Sequence, residues 1–297
     1  MKKQNKAYLY AIIAITFWST VATAFKIALR SVDYLQLLCY SSFVSVIIFF
    51  VLILIQGKIK ILFQFSLSDI LKSALLGFLN PFLYYVILFK AYSLLPAQIA
   101  QPLNYTWPIM LVILSIPLLK QKLKLKSFIA IIISFIGVIL ISSEGNISAY
   151  NVSNPLGVGL ALGSSIIWAL FWIFNVKDKR DDVIKLFLNF FFGFIFILFI
   201  LLYKSEITIP KFEGIIAVIY VGIFEMGITF VLWLKAMKLT SSNDKISNLV
   251  FLSPFISLIF IHFILGEHIF FTTIIGLILI IVGIIIQQKK YVSVHKL

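Results

Sequence analysis

Apolar residues fall along this chain in long blocks, not in the alternating or one-faced patterns of a water-soluble domain. A helix needs about 20 predominantly apolar residues to cross a bilayer. Ten such blocks are expected to do so: Ala7–Leu29, Tyr34–Gln56, Ile70–Tyr92, Ala97–Leu119, Ser127–Ser142, Leu156–Asn175, Val183–Tyr203, Gly214–Leu234, Ile246–Leu265 and Ile269–Gln287. The connections between them are short. A separate catalytic domain has no room, so any function must be carried by the helices.

Composition excludes the soluble alternatives. Of 297 residues 62% are hydrophobic and 12% charged, with mean hydropathy +1.10, against about 25% charged in an ordinary soluble domain. Lipid must be the solvent for most of the chain. The single cysteine, Cys39, excludes an intrachain disulfide. Ala22-Thr23-Ala24 has the form of a leader cleavage site, but the apolar run continues past it, and the segment is expected to be a retained first helix.

The net charge of +14 is explained by topology and not by nucleic acid, which is not an expected partner. With the N-terminus in the cytoplasm, 20 of the 25 Lys and Arg residues fall on the cytoplasmic side, leaving Lys26, Arg30, Lys90, Lys204 and Lys211 outside. That bias follows the positive-inside rule for an even number of spans with both termini inside. Lys26 and Lys90 are expected to snorkel toward the outer interface.

The chain also matches itself. At an offset of 145, Gly77 falls on Gly222, Phe89-Lys90-Ala91 on Leu234-Lys235-Ala236, and Asn80 on Glu225. At an offset of 146, Pro108 meets Pro254 and Gly137 meets Gly283, and at 150 Trp18 meets Trp168. Residues 1–145 and 146–297 are therefore read as two five-helix repeats. Because five is odd, the second enters the membrane inverted, an arrangement recurrent in secondary transporters with a midplane site between the halves.

Polar residues inside the spans mark where such a site would lie, since each costs about 2.5–3.5 kcal/mol if charged. Glu225 and Asn80 sit at equivalent depth in the two halves. Glu225 is a carboxyl that a carrier could load with a proton in one state and unload in the other. Gln101, Asn104 and Pro108 share one face of the fourth span, with Gln98 and Tyr105 beside them. Pro102 and Pro108 there are expected to kink the helix and expose carbonyls. Asn243, Ser247 and Asn248 precede Pro254 in the ninth span. Thr16, Ser19, Thr23 and Lys26 form a stripe on the first span; Ser164, Trp168, Trp172 and Asn175 form another on the sixth; Gly77, Asn80 and Tyr84 share a face of the third. Trp18, Trp107 and Trp168 lie well inside their spans, away from the interfaces that tryptophan favours, whereas Trp233 lies nearer an end. Neither a His-Glu-x-x-His zinc motif nor a phosphate-binding loop occurs in the sequence, so no metal, cofactor or ATP chemistry is expected, and no enzyme.

Phe17-Trp18-Ser19-Thr20, Asn104-Tyr105-Thr106-Trp107-Pro108 and Gly266-Glu267 followed by Gly276 and Gly283 give the whole chain a resemblance to the drug/metabolite transporter superfamily, to its EamA-type exporters. The first two strings are most similar to those of the aromatic amino-acid exporter branch. The resemblance departs at Lys120-Gln121, which stands where the second half has Gly266-Glu267. It implies an all-α integral membrane protein of ten helices, two half-bundles around a central cavity built from spans 1, 3, 4, 6, 8 and 9. The function expected is export of amino acids, aromatic or otherwise neutral, or of similar small metabolites, across a bacterial inner membrane by alternating access. Nucleosides, sugars or S-adenosylmethionine-like solutes are the alternative cargoes; a channel or a non-transporting subunit is the alternative role. The residues expected to line the site are Trp18, Asn80, Tyr84, Gln101, Asn104, Tyr105, Trp168, Trp172, Glu225 and Asn248.

Overall fold

The computed structural model describes residues 3–119, 125–146, 154–176, 178–204, 207–240 and 249–288. All regular structure among them is helical. The helices are α1 (Lys3–Leu29), α2 (Tyr34–Ile55), α3 (Leu67–Gly77), α4 (Tyr84–Leu94), α5 (Ala97–Asn104), α6 (Trp107–Leu119) and α7 (Leu125–Ser142) in the first half. In the second half they are α8 (Pro155–Val176), α9 (Asp182–Lys204), α10 (Phe212–Tyr220), α11 (Ile228–Leu239), α12 (Leu252–Phe260) and α13 (Phe271–Gln288). Among the described residues six stretches are long and apolar enough to cross a membrane: α1, α2, Leu67–Leu94, Pro155–Asn175, α9 and Phe212–Leu239. The stretches expected as the fourth, fifth, ninth and tenth spans form shorter helices.

Local chemistry sets the ends. Asp33 caps α2, its Oδ1 accepting from the backbone N–H of Leu35 at 2.7 Å and of Gln36 at 3.1 Å. Ser66 and Asp69 cap each other's backbone at the start of α3. Gly266 takes the left-handed conformation (φ 72°) that stops the helix after Leu265.

The long rods are interrupted at matching places. In Leu67–Leu94 a wide π turn at Phe78–Leu83 contains Asn80 in extended geometry, next to Pro81, which has no N–H to give. In Phe212–Leu239 a π turn at Val221–Glu225 is followed by Gly227 at φ −109°, ψ −98°. The bounds of these two rods correspond at an offset of 145, and at that offset the first break overlaps the second. The helix through residues 97–119 breaks at Tyr105 and Thr106, between Pro102 and Pro108, and the next pair of turn residues at the same offset is Val250 and Phe251. The sequence placed the kink at the prolines; the break falls between them.

Packing relies on small residues, because lipid offers no hydrophobic drive for helices to associate and close approach of backbones has to supply the attraction. Ala7, Ala11, Ala14, Ala22 and Ala28 are fully buried along α1, which lies against α10, α11 and α12. Gly77 meets the backbone of Asn189 and Gly193 on α9, while Gly222 meets Ser41 and Val44 on α2. Each half thus rests its third rod on the second rod of the other half. α7 and α13 form a close pair through Gly137, Gly276 and Gly283 and present Phe128, Ile132, Phe135 and Ile139 outward, as lipid contact requires.

Charged connections gather at one end. Asp178 is enclosed by Arg180 at 2.6 Å and Lys72 at 3.5 Å, Lys58 pairs with Asp181 at 2.6 Å, and Lys238 pairs with Asp182. Burial alone would raise the Asp178 carboxyl, but hydrogen bonds and charge from Arg180, with Lys72, bring it from 3.8 down to about 2. These groups come from the connection before α3 and from α3 itself, from the connection and first residue of α9, and from the end of α11, which therefore share one face of the protein.

Candidate functional site

The interrupted rods converge on one central cavity, lined by Trp18, Val21 and Phe25 of α1, by Tyr84, Leu88 and Tyr92 of α4, and by Gln101 and Asn104 of α5. Tyr105 and Trp107 enter from the break between α5 and α6, Trp168 and Trp172 from α8, Glu225 from the break in Phe212–Leu239 and Trp233 from α11 beyond it, and Val250 completes the wall. The protein has five tryptophans, and every one is in this lining.

Eight of the ten residues selected from sequence are here: Trp18, Tyr84, Gln101, Asn104, Tyr105, Trp168, Trp172 and Glu225. Asn80 is not in the lining; it is fully buried at the π turn, and neither its side-chain oxygen nor its nitrogen has a hydrogen-bond partner. Asn248, with Asn243 and Ser247, lies outside the described residues. Trp233 belongs to the cavity although its sequence position is near a span end. Phe25, Leu88 and Tyr92 carried no signal, because an apolar side chain facing a cavity reads in sequence like one facing lipid.

The polar groups are held in a fixed arrangement. Tyr85 donates to Glu225 Oε1 at 3.0 Å, and Tyr84 donates to Asn104 Oδ1 at 3.3 Å. The Asn104 amide in turn donates to Ser164 Oγ at 2.8 Å, and Thr106 bonds Ser165 at 3.1 Å, so α8 is tied to the α5–α6 break. Ser19 of α1 bonds Ser253 of α12 at 3.2 Å, and Ser253 is also hydrogen-bonded to Tyr105. Two buried acceptors in the lining keep no protein partner: Glu225 Oε2 and Gln101 Oε1. A buried polar atom left unpaired costs about 1–3 kcal/mol, so these two oxygens are where a donor from a solute would be most strongly held.

Aromatic rings wall the cavity in two groups. Tyr84 and Trp168 lie 4.7 Å apart between centroids, Trp168 and Trp172 meet edge-on at 5.9 Å, and Trp18 faces Trp233 at 5.3 Å. The space between them is narrow, about 70 Å³, enough for a few waters and short of the several hundred Å³ of a site filled by an organic ligand. A solute enters only if these rings part.

One end of the cavity is shut. Exposure falls along α1 from the half-buried Trp18 to Val21 at 6% and Phe25 at 2%, and along α8 it rises from Trp168 to Trp172. The buried end is bolted by two groups. Lys26 donates to the carbonyls of Tyr92 and Leu95, each at 3.0 Å, so it fills the unpaired acceptors at the end of α4 instead of snorkelling. Lys90, the other cation expected to snorkel, lies 5.0 Å from the ring centre of Tyr34. Glu267 accepts from the N–H groups of Ala97 at 2.9 Å and Gln98 at 3.1 Å, capping α5 from the other half of the chain. The Gln98 side chain answers by donating to the carbonyl of His268 at 2.7 Å and accepting from Phe270 N–H at 2.9 Å. The less buried residues lie toward the end that carries Asp178.

This architecture has known counterparts. A crystal structure with 18% identity superposes with a TM-score of 0.67, covering 96% of this chain and 97% of the other, which establishes the fold. An uncharacterized transporter of Clostridium kluyveri is 26% identical across 96% of this chain and 94% of its own length. One from Archaeoglobus fulgidus is 23% identical across 96% and 99%, and the uncharacterized transporter YvbV of Bacillus subtilis is 25% identical across 71% and 70%. The EamA-like transporter family matches twice, over residues 5–143 and again over 155–287. With nearly its whole length taken up by those two matches, the chain belongs to the EamA-like transporter family.

Proposed function

We propose that the protein is a secondary carrier that exports neutral, partly apolar amino acids or chemically similar small metabolites by alternating access across a bacterial inner membrane. Ten helical rods would cross the membrane as two five-rod halves of opposite orientation, with both termini in the cytoplasm. The double family match and the shared break positions support the repeat; the distribution of Lys and Arg supports the orientation.

The observation that carries the solute class is the lining of the cavity. Five indoles and three tyrosines give an apolar, polarisable wall, and Gln101 and Glu225 present unpaired oxygens within it. An ammonium group with an apolar side chain satisfies both. The similarity to the aromatic amino-acid exporter branch points to the same cargo. One end bolted and a small volume support reading this as a closed form, whose less buried end would face the cytoplasm in the proposed orientation. Glu225 is the candidate for proton coupling: it exchanges a proton for the solute's ammonium as the cavity changes sides.

Counterflow of a radiolabelled panel in proteoliposomes tests this. Saturable exchange of neutral amino acids is expected, with the proton-gradient dependence lost in Glu225→Gln. Exchange of nucleosides or sugars with amino acids inert would overturn the cargo. A Glu225→Gln carrier that still follows the proton gradient would overturn the coupling role.

A further inference from the structure

A second, larger cavity lies outside the central site. It is a groove of about 770 Å³ on the opposite face of α1, walled by Ile27 and Ala24 of α1, Ile216 and Ala217 of α10, Phe260 at the end of α12 and Ile264 in the π turn at Ile261–Leu265 that follows. Ile216 and Ile264 leave it open sideways, each with about half its surface exposed. Its deep end carries hydroxyls: Thr20 and Tyr220 bond each other at 2.6 Å, and Thr23 has no partner. Its shallow end is ringed by Arg30, Lys211 and Glu213. None of these three forms an ion pair among the described residues.

We infer that the groove holds one acyl chain of an aminophospholipid, with its phosphate on Arg30 and Lys211 and its primary ammonium on Glu213. Length is the first argument. From Thr20 to Arg30, just past the end of α1, is ten residues, about 15 Å at 1.5 Å per residue, which is the depth of one leaflet of a hydrocarbon core about 30 Å thick. From Lys211 to Tyr220 the span is similar. A groove that starts at the interface and ends at the midplane fits one lipid tail and does not fit a solute in transit.

Charge is the second. Cations are scarce at this end of the chain: the positive-inside count leaves five outside, and two of them meet at this one groove. A phosphate takes two charge-assisted contacts there. The carboxylate of Glu213 would repel a headgroup that is only anionic and would accept from one bearing an N–H donor, so phosphatidylethanolamine is favoured over phosphatidylglycerol. Phosphatidylcholine matches the charges but has no ammonium hydrogen to donate.

The inference needs α1 and α10 to lie in the membrane but does not need any solute to be carried. It is therefore tested without transport, and a failed transport assay leaves it intact. The intact protein in mild detergent is offered equal amounts of phosphatidylethanolamine, phosphatidylglycerol and phosphatidylcholine, and retained lipid is read by native mass spectrometry. Phosphatidylethanolamine is expected to be retained preferentially. In Arg30→Gln with Lys211→Gln its retention falls about tenfold or more, and Glu213→Gln removes the preference over phosphatidylglycerol. All three side chains are exposed, so the variants should melt like the parent. Equal retention of the three lipids, a preference for phosphatidylglycerol, or indifference to the rim variants would overturn it.

Discussion

The rods Leu67–Leu94 and Phe212–Leu239 have matching bounds and break in overlapping places, yet they reach the break by different chemistry. In the first, Pro81 removes a backbone donor and Asn80 turns extended, buried and unpartnered. In the second there is no proline; the break runs through a π turn to Gly227, and Thr229 Oγ1 bonds the carbonyl of Phe224. The polar residue at each break also faces differently: Glu225 lines the cavity and is held by Tyr85 of the other half, whereas Asn80 does not line it. Equal depth along a helix is therefore not equal direction. The interruption is common to the halves, and the chemistry at it has diverged.

The comparison breaks most severely at two glycines, Gly77 just ahead of the first π turn and Gly222 within the second. A side chain at Gly77 would strike the backbone of α9, and one at Gly222 the backbone of α2. Gly77→Leu and Gly222→Leu should each cost about 3 kcal/mol or more, seen as loss of monodisperse protein after extraction. If only one fails, the halves do not brace each other reciprocally.

The next effect separates the two polar partners. Glu225→Gln should reduce counterflow about tenfold or more with little change in melting temperature. Asn80→Ala should leave counterflow within about twofold of the parent, because no solute contact is lost, and should register in stability instead. Strong loss of transport in Asn80→Ala would restore the symmetric reading of the two sites.

The connections between rods sharpen the contrast. Asp178, tied to Arg180 and Lys72, has its carboxyl held at about 2. A lowered folded value means its contribution is complete above about pH 4, and is lost as pH falls toward 2. Acid melting curves of the parent should show that loss, and Asp178→Asn should show less of it. The helix caps give the smallest difference. Asp33 and Asp181 cap α2 and α9 through the same two N–H contacts, but Asp181 is also paired to Lys58. Asp33→Ala should cost about 1 kcal/mol and Asp181→Ala more, read as shifts in melting temperature.

Much of this was legible in the chain. Apolar blocks gave the rods, the Gly77/Gly222 match gave the correspondence, and polar residues stranded among apolar ones gave most of the cavity. What escaped depends on contacts between distant segments. Trp233 looks peripheral on a straight helix, and it is the contact with Trp18 of another rod that makes it part of the wall. Lys26 reads as a snorkelling cation because its acceptors, the carbonyls of Tyr92 and Leu95, belong to another rod. Among the described residues six stretches are long and apolar enough to cross, and the one expected as the fourth falls short because its helix breaks at Tyr105 and Thr106.

All five tryptophans line the cavity, so their fluorescence has no background from elsewhere in the protein. Titrating a transported solute into purified protein while following that fluorescence tests most directly whether the cavity is the solute site. A saturable change is expected, with a midpoint that tracks half-saturation of counterflow and weakens in Glu225→Gln. A solute that is transported, yet leaves the emission and its quenching unchanged at saturating concentration, would place its path elsewhere.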